Sequence, residues 1–235
     1  YDSAALYYEK GLQAYRQAGD KRNIAATLKG LGDVWVYQKK YEVAIPAFEE
    51  AIKIWEQLGN NDREIASALT SLGAIYMYQG KPAASRAILQ QAIRTFSKLD
   101  DKNALLTAYL NLGANDSREG NYSAAMESYL SSLKMAEALG NKRMMAYNYL
   151  NLGSANLQIN ELDRALENLE KSLSIAREIG DKPATATSLQ NMVLVLKTQN
   201  KFVEARKHLD LAISLFKELK DNGSLQGAQM NLGRI

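Results

Sequence analysis

The chain has 235 residues, 46% of them hydrophobic, and its 29 basic and 26 acidic side chains leave a net charge of +3. That content suits a protein that buries a core and excludes disorder, and the balance of charge excludes the concentrated phosphate contacts on which nucleic-acid affinity rests. With no cysteine and His208 as the sole histidine, disulfides and thiol chemistry are excluded, and a zinc, haem or iron–sulfur site would have carboxylates alone, so no cofactor or metal is expected. The longest apolar run, Met192–Leu196, falls far short of the roughly 18 residues of a membrane-spanning helix. The opening "YDSAALYYEK" is not a signal peptide, so the expectation is a soluble, cytoplasmic segment of a longer polypeptide with no membrane partner.

In chain order, the first predicted element is a helix over 1–18 that has no partner in the pattern. A unit then repeats: "LKGLGDVWVYQKKYEVA" at 28 aligns with "LTSLGAIYMYQGKPAAS" at 69, "YLNLGANDSREGNYSAA" at 109, "YLNLGSANLQINELDRA" at 149 and "LQNMVLVLKTQNKFVEA" at 189. The spacing is 41 once and 40 thereafter, with the extra residue in the loop "LGNND" at 58–62, and a last copy starts as "QMNLGRI". Such a period marks stacked supersecondary units. Within a unit the apolar spacing is helical, as Leu28, Leu31 and Trp35 and then Ala44, Phe48 and Ala51 show, so each unit holds two helices. One array over 1–235 is expected, with five full repeats at about 25–59, 66–99, 106–139, 146–179 and 186–219 and half-repeats at 1–18 and 225–235.

The turns fit this scheme. Inside the units Gly80, Gly120, Asn160 and Asn200 suit the left-handed conformation that closes a helix, and Lys39 is the exception. Between units Gly19, Gly59, Gly140 and Gly180 can end one helix, and Asp20, Asp101, Asn141 and Asp181 stand where the next needs a cap.

These residues resemble the tetratricopeptide repeat (TPR), in which a first helix carries Leu-Gly followed by an aromatic and a second helix alternates small and large residues. The Leu-Gly pairs are Leu31-Gly32, Leu72-Gly73, Leu112-Gly113, Leu152-Gly153 and Leu232-Gly233, and the small positions include Ala44, Ser85, Ala125, Ala165 and Ala205. The 40-residue unit is similar to the long repeats of kinesin light chains, Pins-type adaptors and bacterial signalling TPR proteins. The resemblance implies an all-α, right-handed superhelical solenoid of antiparallel helix hairpins. Val193 replaces the glycine of the fifth unit and is expected to wedge its helices apart; Asp116 and Asn156 replace the aromatic in the third and fourth.

The family geometry puts the first helices on a concave wall, with the residue before Leu-Gly facing the groove. Here that residue is Gly30, Ser71, Asn111, Asn151, Asn191 and Asn231, and an amide row of this kind can pair with the main chain of an extended peptide. Further groove positions by the same geometry are Tyr37, Tyr78, Arg118 and Gln158, one turn beyond Leu-Gly, with Lys29 and Asp33 on the first helix. Family members that hold a chaperone's C-terminal carboxylate use a fixed set of Lys, Asn and Arg. Lys29 matches one place, but Asp33, Ser71 and Thr107 do not match the others, which disfavours that ligand.

No constellation for catalysis emerges: Gly80-Lys81 lacks the spacing of a phosphate loop, and His208 has neither a metal-binding neighbour nor a serine partner. The reading is a noncatalytic module that binds a protein or peptide partner in its concave groove, as part of a larger scaffold or signalling protein. An alternative is a sensory module whose groove is filled by a neighbouring effector domain until a signal displaces it. Half-repeats with uncovered apolar faces, carrying Tyr8, Leu12, Leu232 and Ile235, imply weak end-to-end self-association.

Overall fold

The structure, a computed structural model, describes residues 2–232, with side chains through residue 230. Twelve α-helices and no strand make up the described residues. They are α1 (Asp2–Ala18), α2 (Lys21–Tyr37), α3 (Tyr41–Leu58), α4 (Asp62–Tyr78), α5 (Pro82–Lys98), α6 (Lys102–Arg118), α7 (Tyr122–Ala138), α8 (Lys142–Gln158), α9 (Leu162–Glu178), α10 (Lys182–Thr198), α11 (Phe202–Glu218) and α12 (Asn222–Leu232). None of the described helices is long and apolar enough to cross a membrane. The chain divides into two compact units, 1–115 and 116–235.

The helices begin where the caps stand. Asp20, Asp101, Asn141 and Asp181 each accept a hydrogen bond from the backbone N–H three residues on, at 3.1–3.2 Å, so α2, α6, α8 and α10 start directly behind them. Asp221 does the same for α12 through Ser224 N–H. Asn61 departs from the series. Its amide donates backward to the carbonyls of Gly59 and Trp55, which folds the extra residue of the 58–62 loop onto the end of α3. Lys39 takes the left-handed conformation, with φ of 59°, although it is neither Gly nor Asn. The close of the hairpin, not the residue, sets the geometry there.

In the first unit α2 packs on α1 and α3, α3 on α4, and α4 on α5, with α2 and α4 side by side. Its core joins Leu28, Ala44, Phe48, Ala51, Trp55 and Leu72. The glycines mark the helix crossings. A Cβ on Gly32 would lie 2.8 Å from the Phe48 ring, and one on Gly73 would lie 2.6 Å from Leu89 Cγ. Ser85 fills a fully buried small position by donating to the carbonyl of Gly73 at 2.8 Å.

The second unit repeats this frame with α8 against α7 and α9, α10 against α9 and α11, and α12 against α11. Gly153 again has no room for a Cβ, which would sit 2.7 Å from Leu169 Cγ. Val193 is fully buried in one cluster with Leu209, so this crossing is filled by the valine itself. The polar replacements are also buried, Asp116 at 2% and Asn156 at 5% exposure. Burial, and to a lesser degree the negative charge of Asp116, pushes the Tyr129 phenol up to about 12.

Candidate functional site

Because α2 and α4 run side by side, the residues that flank Leu-Gly on each come together. Asp33 on α2 accepts from the Lys29 ammonium at 2.7 Å through one carboxylate oxygen and from the Ser71 hydroxyl of α4 at 3.1 Å through the other. Both charged side chains of the pair are about one-third exposed, at 29% and 34%. Lys29 and Asp33 are thus a fixed half-buried pair, not loose helix surface. Gly30, in the same row, is covered from the other side, since its missing Cβ would lie 2.7 Å from the Tyr8 ring of α1.

Beside this network is a cavity of about 330 Å³ lined by α2, α4, α5 and α6. Arg63 on the first turn of α4 reaches it and bonds Asp101, the cap of α6, through Nε at 2.7 Å. No repeat motif pointed to Arg63. Its partner is 38 residues away, so the pairing is invisible in a helical register.

Tyr37 and Tyr78 lie at the C-terminal ends of α2 and α4, 70% and 53% exposed. Tyr78 stacks on Tyr41, the first residue of α3, with rings parallel to within 2° and centroids 6.2 Å apart. Asn111, on α6 in this unit, is half-buried.

In the second unit Asn151 and Asn191 occupy equivalent places on the adjacent helices α8 and α10, each half-buried. The Asn191 amide donates to the Ser154 hydroxyl of α8 at 2.8 Å, the counterpart of the Ser71–Asp33 contact. Gln158 is exposed and its carbonyl oxygen is 3.5 Å from the Tyr122 hydroxyl, at the same edge position as Tyr78 over Tyr41. Arg118 is exposed in this unit. The side chain of Asn231 lies outside the described residues, as do those of Leu232 and Ile235. Two features had no signal in the repeat pattern. They are the role of Ser154 as lateral partner and that of Tyr41 as aromatic platform.

His208 is half-buried on α11, and its Nδ1 has no hydrogen-bond partner among the described residues. Burial first, and then the nearby Arg177 guanidinium, hold its pKa below the ordinary value.

The tetratricopeptide repeat profile matches residues 64–138 and 143–218, well over half of the chain. No sequence among curated proteins matches it. Among solved structures it is similar to BtubC (BKLC) from P. vanneervenii, with a TM-score of 0.81 at 16% identity over 93% of this chain and 92% of that one. It is also similar to a Rap protein complexed with competence and sporulation factor, with a TM-score of 0.75 at 17% identity over 88% of this chain. A third similar structure is the Rap conjugation gene regulator of the plasmid pLS20 in complex with a Phr peptide, with a TM-score of 0.71 at 21% identity over 88% of this chain. The chain spans 57% of the length of each of the two Rap chains. At such identities the likeness is one of fold, and together with the repeat profile and the helix pairs it places the chain in the tetratricopeptide repeat family.

Proposed function

We propose that the chain is a noncatalytic binding module that holds an extended peptide segment of a protein partner against its first helices. The observation that carries this reading is the pair of half-buried amides Asn151 and Asn191 on adjacent helices, one oriented by Ser154 and both with hydrogen-bonding capacity left over. An amide presents a donor and an acceptor side by side, the complement of a peptide unit, so a row of them gives affinity for main chain with little demand on sequence. The fold of Rap proteins seen with a factor or a Phr peptide is consistent with the same use. Asn111 and Asn231 extend the amide set, and Lys29, Asp33, Tyr37, Tyr78, Arg118 and Gln158 supply selectivity. The module belongs to a larger scaffold or signalling protein in this reading. Weak end-to-end association through the exposed Leu6, Tyr7 and Tyr8 of α1 accompanies it, which sedimentation over a wide concentration range checks.

The test is selection of binders from a random peptide library on the purified chain. The double variant Asn151→Ala, Asn191→Ala should keep its melting temperature and bind a selected peptide about 1–3 kcal/mol more weakly, the range for hydrogen bonds lost from a desolvated site. Unchanged affinity in the folded double variant removes the amide reading, and a library that yields no binder removes the peptide-binding function.

A further inference from the structure

We infer that the cavity of the first unit takes a side-chain carboxylate, from an aspartate or glutamate in the bound peptide, an inference that rests on the peptide-binding reading. The lining is rich in donors and carries charge of one sign. Lys29 and Arg63 are the ionised side chains of the lining among the described residues, Ser67, Asn103 and Thr107 add two hydroxyls and an amide, and Phe96 adds a buried ring.

Counting the donors shows which are spent. The Thr70 hydroxyl goes to the carbonyl of Ala66 at 2.9 Å and the Ser71 hydroxyl to Asp33. Of the three N–H groups of the Lys29 ammonium, Asp33 takes one; of the five on Arg63, Asp101 takes Nε–H. The remainder, with Ser67, Asn103 and Thr107, border the cavity, and Arg63, Asn103 and Thr107 are open to solvent. Donors in such number suit a ligand with several lone pairs, which would take the place of water on them. A carboxylate accepts at about four sites, and its bonds to ammonium and guanidinium are the stronger, charge-assisted kind.

Asp33 and Asp101 decide which anion fits. Neither lines the cavity, but each holds one cation from behind, which fixes Lys29 and Arg63 in place and offsets their charge. A singly charged carboxylate gains from the oriented donors and meets modest repulsion. For a phosphate dianion attraction to the two cations and repulsion from the two carboxylates double together, and the larger cost of desolvating the second charge counts against it. The cation pair is also not the set that grips a chain terminus: Arg63 stands on the first turn of α4, and Ser71 and Thr107 replace the asparagine and basic residue of that set. Tyr37 and Tyr78, exposed farther along α2 and α4, offer surface for a chain that continues past the cavity.

The experiment uses library peptides with amidated C-termini, so that a terminal carboxylate cannot contribute. Binders selected on the wild-type chain should carry Asp or Glu at one recurring place, and Gln there should weaken binding roughly ten- to hundredfold. In Lys29→Met, Arg63→Gln the acid and its Gln counterpart should bind alike. Thr107→Asp, which places a carboxylate at the cavity while keeping both cations, should abolish the discrimination as well. Circular dichroism melts establish that each variant is folded. Binders without an acidic preference, a preference that survives both variants, or one met only by a free terminal carboxylate or a phosphoserine would overturn the assignment while leaving peptide binding intact. A library that yields no binder would overturn peptide binding and this assignment together.

Discussion

On α2 and α4 of the first unit the places before Leu-Gly are Gly30 and Ser71, with Lys29 and Asp33 beside them and an amide, Asn111, following only on α6; on α8 and α10 of the second unit the equivalent places are both amides, Asn151 and Asn191, with Ser154 and Gln158 on the same helices. One wall is charged and aromatic, the other built of amides and hydroxyls. At the helix crossings the difference disappears. Ala44, Phe48 and Ala51 of the first unit and Ala165, Leu169 and Ser172 of the second are all fully buried, and Gly32 and Gly153 each face a side chain that leaves no space for a Cβ. The contrast follows from packing density: a close-packed crossing registers a single methylene, whereas at a half-buried wall position water replaces whatever contact is lost. One frame therefore carries two different surfaces.

The strongest break of this comparison is in the cores. Phe48→Ala should cost about 3–5 kcal/mol and Leu169→Ala about 2–5 kcal/mol. In a repeat protein the loss should be local, so hydrogen exchange should show the amides of the mutated unit losing protection first. Equal loss in both units for either variant would show one cooperative body in place of two.

Next in size is the crossing that breaks the glycine rule. Val193→Gly removes a fully buried side chain, a loss of about 1.5–3 kcal/mol, and adds about 0.5–1 kcal/mol for glycine inside a helix. The reverse change, Gly153→Val, should cost about 1–3 kcal/mol by overpacking against Leu169. Urea titrations of both measure how far each crossing is tuned to its own residue. Stabilisation by Val193→Gly would support the wedge expected from the sequence.

A smaller effect separates two caps of the same type. Asp181 caps α10, is almost fully buried, and also forms an ion pair with Arg143 Nε at 3.2 Å, so Asp181→Ala should approach the upper end of about 0.5–2 kcal/mol. Asp20 caps α2 with its carboxylate in solvent, held below its ordinary pKa first by the Asn23 backbone N–H. Asp20→Ala should cost less. Melting temperatures of the two variants rank them, and the reverse order would show that burial of the cap does not matter.

The smallest effect is one of pH. The pKa of His208 is lowered in the folded chain, so the fold favours the neutral ring. The stability this contributes is present above the ordinary value of 6.5 and is lost as pH falls through the folded pKa. His208→Gln should flatten the decline in stability just below that value, and denaturant midpoints across the interval measure it. An unchanged slope would leave the neighbouring Glu170 and Glu204 offsetting the effect of burial.

The frame was legible because it is local. Leu-Gly spacing, small residues at fixed offsets and Asp or Asn before each first helix all report on hydrogen bonds and crossings within some 40 residues, and these recur. The caps at Asp20, Asp101, Asn141 and Asp181 stand as their positions imply, and only Asn61, beside the inserted residue, uses its amide differently. The side-chain partners on the walls were not legible. Ser71 bonds Asp33 across 38 residues, Asn191 bonds Ser154 across 37, Arg63 meets Asp101 across 38, and Tyr78 lies on Tyr41. A repeat period tells that two helices will be neighbours, but the roll of one on the other decides which side chains touch. That roll is set by the volumes packed between them, such as Phe48 against Gly32 and Leu89 against Gly73, which no residue at the wall position records. The sequence alone therefore determined the repeat, the helices and their caps, and the tertiary structure decided that Lys29 and Arg63 line one cavity, because that depends on four helices packing at once.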